Sequence, residues 1–180
     1  MGQHLADTGV VGQHRCGVGV DRVGRDVGAG GGGRSRSGRF KSDVEVWGQE
    51  DFWATPLQAL EAGAGDCEDY AIAKYFTLVA MGVPVARLRL VYVRARLDAQ
   101  TVQAHMVLAY YPAPNAEPAI LDNLMNDIRP ASQRPDLTPV FSFNSEGLWQ
   151  GVGSTSAGDP TVRLSRWRDA LARVQGEGFF

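Results

Sequence analysis

Residues 63–70 of the chain read GAGDCEDY and run directly into the apolar stretch 71–80, AIAKYFTLVA. The glycines permit a tight turn that delivers Cys67 to the start of a helix. Asp66 stands at the N-cap position, where a carboxylate can accept hydrogen bonds from the first helical N–H groups. Because the following helix is apolar around most of its circumference, we predict that it is the buried central helix of the domain.

The bulk composition is that of one ordinary globular domain. The chain has 180 residues, a mass of 19.4 kDa and a hydrophobic share of 44%, which is enough for a real core. Its formal net charge of -2 gives no general attraction to nucleic acid or to an anionic membrane. The sequence contains no stretch of about 18 consecutive apolar residues, which a membrane-spanning helix would need. We therefore expect no nucleic-acid partner and no membrane-spanning segment.

The first 39 residues differ in composition from the rest. Residues 28–38 read GAGGGGRSRSG, and the stretch before them shows neither a helical nor a strand period. Such a segment offers little apolar surface to offset the entropy of ordering. We expect residues 1–39 to be a disordered, low-complexity Gly/Arg-rich arm or the product of a misplaced start, with a functional basic tail as the alternative. Residues 40–180 are predicted to form the folded domain.

Alternation of apolar and polar residues after the central helix predicts an antiparallel sheet. Two long strands are expected at 88–97 and 103–111, and two shorter ones at 119–124 and 140–144. Pro-rich and Asp-rich turns separate them. The predicted fold class is therefore α+β, with the central helix packed on the sheet.

Two further helices are predicted. Thr55 and Pro56 have the residue types of an N-cap and a first helical position, and we expect Leu57, Ala59 and Leu60 to supply apolar contacts from that helix. A second helix at 165–174, with apolar residues at helical spacing, closes the domain.

Three residues in this order suggest nucleophilic catalysis. Cys67 lies at a helix N-terminus, where the helix dipole lowers a thiol pKa, whereas His105 and Asp122 lie on successive strands. In a thiol peptidase the histidine takes the thiol proton, the aspartate orients the imidazole and the cysteine attacks a carbonyl carbon. The two cysteines, Cys16 and Cys67, are too few for a disulfide framework or a tetrahedral zinc site, so we expect a lone thiol.

Each of these residues also has a simpler interpretation. A cysteine on an apolar helix is often a small hydrophobic side chain, and a histidine on a strand is often a hydrogen-bonded polar group. Asp122 could cap a turn, although among apolar neighbours an ionised carboxylate needs a cation or a donor. It is the joint pattern that favours catalysis.

The carboxylates around Cys67 suggest a metal site. Asp66, Glu68 and Asp69 would oppose formation of a thiolate by like-charge repulsion. A hard divalent cation with oxygen ligands, calcium above all, would neutralise them. The alternative is that Asp66 caps the helix while Glu68 and Asp69 complement its dipole.

Five motifs together resemble the bacterial transglutaminase-like cysteine proteinases of the LapG type. The resemblance runs from about residue 40 to the C-terminus. The motifs are WGQEDFWATP at 47–56, GDCEDYAI at 65–72, AHMVL at 104–108, LDNL at 121–124 and SFN at 142–144.

The resemblance implies a papain/transglutaminase-like fold with a Cys-His-Asp triad at Cys67, His105 and Asp122. It also implies calcium dependence attached to Asp66, Glu68 and Asp69. Family members are periplasmic, cleave the N-terminal region of a large surface adhesin near a di-alanine, and are held in check by an inner-membrane cyclic di-GMP receptor. Cleavage releases the adhesin and disperses the biofilm. The Gly/Arg arm stands where the family has a signal segment and further helical sequence, and no signal peptide is recognisable in it.

Two other functions remain open at this point. A transglutaminase or amidase would use the same triad with an amine or water as acceptor. A non-catalytic calcium-binding interaction domain would need the carboxylates but not the thiol.

Overall fold

The structure is a computed structural model that describes residues 39–125 and 127–179. Within these residues the main sheet has seven strands in the order β6-β5-β4-β3-β7-β8-β9, and all of its pairings are antiparallel. The strands are β3 (Leu88–Arg96), β4 (Val102–Tyr110), β5 (Ala119–Leu121), β6 (Arg129–Pro130), β7 (Leu137–Phe143), β8 (Leu148–Gln150) and β9 (Ser156–Gly158).

A short parallel pair lies beside the glycine turn. It consists of β1 (Arg39–Phe40) and β2 (Ala64–Gly65). The N–H groups of Arg39 and Lys41 donate to the carbonyls of Gly63 and Gly65, each at 3.0 Å. The turn before Cys67 is thus fixed by the first described segment of the chain. Apart from Arg39, the arm expected at 1–39 lies outside the described residues.

The described part of the chain also has five α-helices and two short 3-10 turns, Val85–Arg87 and Ala131–Gln133. The α-helices are α1 (Asp43–Trp47), α2 (Pro56–Ala62), α3 (Cys67–Ala80), α4 (Pro160–Arg163) and α5 (Ser165–Gly176). The expected cap of α2 is present, because the Thr55 hydroxyl accepts from the Gln58 N–H at 3.2 Å. Gly63 ends α2 with φ of 61°, a backbone conformation that favours glycine.

The α3 helix is the buried centre of the domain, as its composition predicts. Ile72, Tyr75 and Phe76 have no exposed surface. The rings of Phe76 and Trp167 stack with centroids 5.6 Å apart, so α5 packs against α3 over the core. A second, smaller cluster of valines, with Ile120, lies among β3, β4 and β5.

Leu57 and Leu60 do not supply the apolar contacts expected of α2. They are 47% and 71% exposed, and the prediction for these two side chains is wrong. The buried residue of α2 is Pro56. A seven-residue helix held by its cap and by the turn after it contributes little of its surface to the core.

The strand expected at 119–124 ends earlier, at Leu121. The cause is Asp122, whose Oδ1 accepts the N–H of Leu124 at 3.0 Å and so bends the chain out of the sheet. The strand expected at 140–144 is longer toward its start and spans Leu137–Phe143.

Gly65 has no room for a side chain. A Cβ at this position would lie 2.7 Å from Asp69 Oδ2 and 2.8 Å from Asp69 Cβ. We predict that Gly65→Ala lowers the free energy of unfolding by about 1–3 kcal/mol, the usual cost of overpacking, because Asp69 must move. Urea denaturation measures the change. Gly176→Ala is the control, since a Cβ there meets nothing within 4 Å, and an unchanged unfolding midpoint for Gly65→Ala would contradict the prediction.

Candidate active site and metal centre

Cys67 is the first residue of α3 and is 3% exposed. Its position follows from the paired glycine turn on one side and the buried helix on the other. The sulfur is disulfide-bonded in this structure, which differs from the expected lone thiol. Nucleophilic chemistry at Cys67 requires the reduced protein.

His105 and Asp122 are brought together by the pairing of β4 with β5. The register places Leu108 opposite Leu121, so Asp122 lies just beyond the last pair, on the side of His105. The distance from His105 Nε2 to Asp122 Oδ1 is 2.7 Å, and both side chains are buried. Nε2 is thus the imidazole nitrogen that contacts the carboxylate.

One small pocket brings His105 and Cys67 to a common surface. Trp53, Tyr92 and Met106 give part of its wall an apolar character. Its lining residues are Trp53, Cys67, Glu68, Tyr92, His105 and Met106. All three residues of the predicted triad therefore belong to one site.

Asp122 also receives the charge partner that its apolar surroundings require. Arg134 Nη2 lies 2.6 Å from Asp122 Oδ2. Burial alone would raise the pKa of Asp122, but the hydrogen bond and charge of His105, together with the bonds from Leu124 and Arg134, hold that pKa well below its usual range. Asp122 thus both caps a turn and contacts the histidine.

Arg134 is missing from the residues predicted from sequence. The sequence signal for such a partner was Asp122 itself, because an ionised carboxylate among apolar neighbours needs a cation or a donor. The loop between β5 and β7 carries two arginines, Arg129 and Arg134. Local sequence does not distinguish them, because the choice depends on how the loop returns to the sheet.

The predicted acidic residues surround the start of α3, and Asp43 of α1 joins them. Oxygens of Asp43, Asp66 and Asp69 lie within 4.8 Å of one another, and all three residues are buried. Glu68 belongs to a second group with Asp66 and Cys67, with its Oε2 2.8 Å from the sulfur. Asp43 could not be assigned from spacing, since it is far from Cys67 in sequence.

Asp69 is also a structural residue. Its Oδ1 accepts the Ala54 N–H at 2.7 Å, and its Oδ2 accepts the Trp47 indole N–H at 3.3 Å and the Asp66 N–H at 3.4 Å. These bonds join the segment before α2 to the start of α3. Asp69 therefore accepts the N–H of the N-cap residue Asp66 while standing within the acidic cluster.

Burial and mutual repulsion disfavour the ionised forms of this cluster. Burial is the largest cause of the raised pKa values of Asp43, Asp66, Glu68 and Asp69, and repulsion by neighbouring carboxylates adds to it for all of them except Asp69. Asp43 Oδ1 and Asp66 Oδ1 are buried without a hydrogen-bond partner. Carboxylate oxygens so placed suit a hard cation such as calcium, which takes six to eight oxygen ligands. The donor set therefore fits the metal.

The α5 helix holds the segment that forms one wall of the pocket. Arg173 Nη2 donates to the Trp53 carbonyl at 2.7 Å, and its guanidinium lies 4.6 Å from the centroid of the Phe52 ring. Arg166 pairs with Asp51 at 3.0 Å. The C-terminal helix thus fixes the position of Trp53, a contribution that no pattern near Cys67 indicates.

A cysteine at the start of a buried helix, facing a pocket shared with a histidine of an antiparallel sheet, defines a class: a cysteine peptidase of transglutaminase-like fold. The family model of the bacterial transglutaminase-like cysteine proteinases (BTLCP) matches residues 36–152. The chain belongs to this family.

Solved structures of Legionella pneumophila LapG are similar to the chain. The EGTA-treated form has 44% identity and a TM-score of 0.66, over 77% of this chain and 72% of that one. The calcium-bound form has 43% identity and a TM-score of 0.64, over 77% and 74%. No curated protein sequence matches the chain. In the part of the chain that the structure describes, no helix has the length and apolar character needed to cross a membrane.

Proposed function

We propose that the protein is a calcium-dependent cysteine endopeptidase in which Cys67, His105 and Asp122 form the catalytic triad. The observation that carries the proposal is the 2.7 Å contact between His105 and Asp122 in the pocket that Cys67 also lines. This arrangement supplies a nucleophile, a base and a group that orients the base.

Acylation begins when the Cys67 thiol gives its proton to His105 Nδ1. The sulfur attacks the peptide carbonyl carbon, a C–S bond forms, and the carbonyl electrons move to oxygen. N–H groups at the start of α3 stabilise that oxyanion. When the oxyanion collapses, the C–N bond breaks and the proton on Nδ1 passes to the leaving amine.

Deacylation reverses these roles. Water attacks the thioester carbon while Nδ1 takes its proton, and the C–S bond breaks. The proton returns to the sulfur, the product leaves as a carboxylic acid, and Cys67 is restored. Asp122 holds the imidazole in one tautomer and stabilises its charged form in both halves of the cycle.

Calcium is proposed to bind the acidic cluster of Asp43, Asp66, Glu68 and Asp69. The calcium-bound LapG structure supports this, as do the two buried carboxylate oxygens without partners. Bound there, the cation supplies positive charge that offsets the repulsion between these carboxylates and a thiolate at Cys67. The cluster would then both hold the helix start in shape and permit ionisation of the nucleophile.

The proposed substrate is the N-terminal region of a large surface adhesin, cut near a di-alanine to release the adhesin from a biofilm. The proposed location is the periplasm, and the proposed regulator is an inner-membrane cyclic di-GMP receptor that sequesters the protease. These three statements rest on membership of the family. The narrow pocket between Trp53 and Met106 is compatible with a chain of small side chains such as alanine.

One experiment separates this function from its two competitors. The reduced protein is incubated with calcium and a recombinant N-terminal adhesin fragment that contains a di-alanine, and the products are weighed by mass spectrometry. We expect two shorter fragments with one new N-terminus. Cross-linked or amine-modified fragment would indicate a transglutaminase. Uncut fragment, together with a Cys67 that iodoacetamide does not alkylate, would indicate a non-catalytic binding domain.

A further inference from the structure

The two oxygens of Asp122 have different partners. Oδ1 contacts His105 Nε2 at 2.7 Å and accepts the Leu124 N–H at 3.0 Å, whereas Oδ2 accepts from Arg134 Nη2 at 2.6 Å. Three partners arranged around one carboxylate fix its plane as well as its position. The direction in which Oδ1 faces the imidazole therefore depends on the arginine.

Arg134 is itself held rigidly. Its side chain is 2% exposed, and Asp136 accepts from its Nε at 3.0 Å and from its Nη2 at 2.7 Å. The fork geometry of a guanidinium allows it to bridge two carboxylates in this way. Asp136 thus prevents Arg134 from turning away from Asp122.

Burial of an aspartate favours its protonated form, because the charged carboxylate loses its hydration. A protonated Asp122 would donate to its neighbours instead of accepting from them and would no longer select the histidine tautomer. The charge of an arginine does not change during turnover. Arg134 can therefore keep Asp122 ionised both when His105 is neutral and when it is charged.

We propose that Arg134 is a positioning residue of the active site, which acts through Asp122 to orient His105 and so forms the last member of an Arg-Asp-His-Cys series. The proposal rests on the triad given above as the proposed function. It adds Arg134 to that triad. Because Arg134 acts through Asp122, its effect on activity has to disappear when the carboxylate of Asp122 is removed.

A purely structural role for Arg134 makes a different prediction. The loop that carries it is also fixed by its backbone, because the Arg134 N–H donates to the Ala131 carbonyl at 3.0 Å and the Arg96 N–H to the Asp136 carbonyl at 2.9 Å. Removal of the side chain therefore leaves the path of the loop supported. A loss of function in an Arg134 variant would therefore arise from loss of the charge and forked geometry of its guanidinium rather than from a collapsed loop.

The test is a double-mutant cycle with Arg134→Met and Asp122→Asn. We expect Arg134→Met alone to lower kcat for the di-alanine adhesin fragment by about 10- to 100-fold, as loss of the hydrogen-bond partners that orient metal-ligating side chains does, with KM within about twofold. In the Asp122→Asn background the same change should have almost no effect. Arg134→Lys keeps the charge without the fork and should lose less activity.

A second readout needs no substrate. The alkylation rate of Cys67 by iodoacetamide, resolved by peptide mass spectrometry, is measured at about pH 6, where an ordinary thiol is hardly ionised. We expect Arg134→Met to slow it in the wild-type background only. A wild-type protein that alkylates rapidly but cuts no fragment would overturn the proposed peptidase and leave this proposal standing, whereas equal losses in both backgrounds would overturn this proposal alone.

Arg129→Gln is the matched control, since its exposed pair with Asp127 at 3.5 Å lies in the same connecting segment, and its rates should equal those of the wild type. Thermal unfolding establishes that each variant is folded. If Arg134→Met does not fold, Asp136→Asn takes its place in the test. Asp136 is the more exposed of the two carboxylates that hold the Arg134 guanidinium, and this substitution weakens its hold on that group. We then expect a smaller fall in kcat that again depends on Asp122, and an effect independent of Asp122 would refute the proposal.

Discussion

Cys67→Ala is expected to reduce cleavage of the adhesin fragment to the uncatalysed background, a loss on the order of 10⁶-fold in kcat. Without the sulfur no C–S bond can form, and His105 has no proton to take. The remaining pocket and helix N-terminus can still bind a peptide. Binding of the fragment should therefore persist although cleavage is lost.

The fold should survive this substitution, because Cys67 is a small side chain in a buried position and alanine occupies nearly the same space. Thermal unfolding in reductant should show a change of no more than a few degrees. Cys16→Ala is the matched control, as it removes the chain's other cysteine, and in reductant it should leave cleavage intact. A fully active Cys67→Ala protein would end the peptidase assignment.

Local sequence was sufficient to predict the elements that carry the triad. Cys67 sits at the first position of α3 because a glycine turn, an acidic N-cap position and an apolar run all act within a few residues of it. The pairing of His105 with Asp122 followed from two adjacent strands joined by a turn, for which antiparallel neighbours are the usual outcome. Whether these residues catalyse remains a prediction.

The site residues that could not be predicted from the sequence make contacts with residues far from them along the chain. Asp43 enters the acidic cluster because α1 contacts the β2 segment just before α3, and its Oδ2 also accepts the Phe52 N–H at 2.7 Å. Arg173 contacts Trp53 although 120 positions separate the two residues in the sequence. No local pattern encodes such contacts, since they depend on how packed elements meet. Leu57 and Leu60 show the reverse error, in which apolar residue type was mistaken for burial.

The second large effect concerns calcium. We predict that EGTA abolishes cleavage by the reduced protein and that added calcium restores it. Asp66→Asn and Glu68→Gln should reproduce the loss without chelator, and Asp43→Asn should do the same although Asp43 lies on another helix. Each change removes negative charge from the cluster and so weakens its hold on a divalent cation. Cleavage assays and calorimetric titration with calcium measure the two consequences.

Stability provides the independent readout of the same site. A cation that binds only the folded protein stabilises it, by about 2.7 kcal/mol at a hundred times its dissociation constant, so calcium should raise the melting temperature of the wild type. The three variants should show a smaller rise, whereas Asp127→Asn, which removes an exposed carboxylate, should respond as the wild type does.

If EGTA left cleavage unchanged, calcium would have no part in the mechanism. If calcium stabilised the wild type and Asp43→Asn equally, the site would be confined to the start of α3. Because Asp43 is tied to the Phe52 N–H and Asp69 to the Ala54 N–H, loss of the metal is expected to loosen the same segment that places Trp53 against the catalytic pocket.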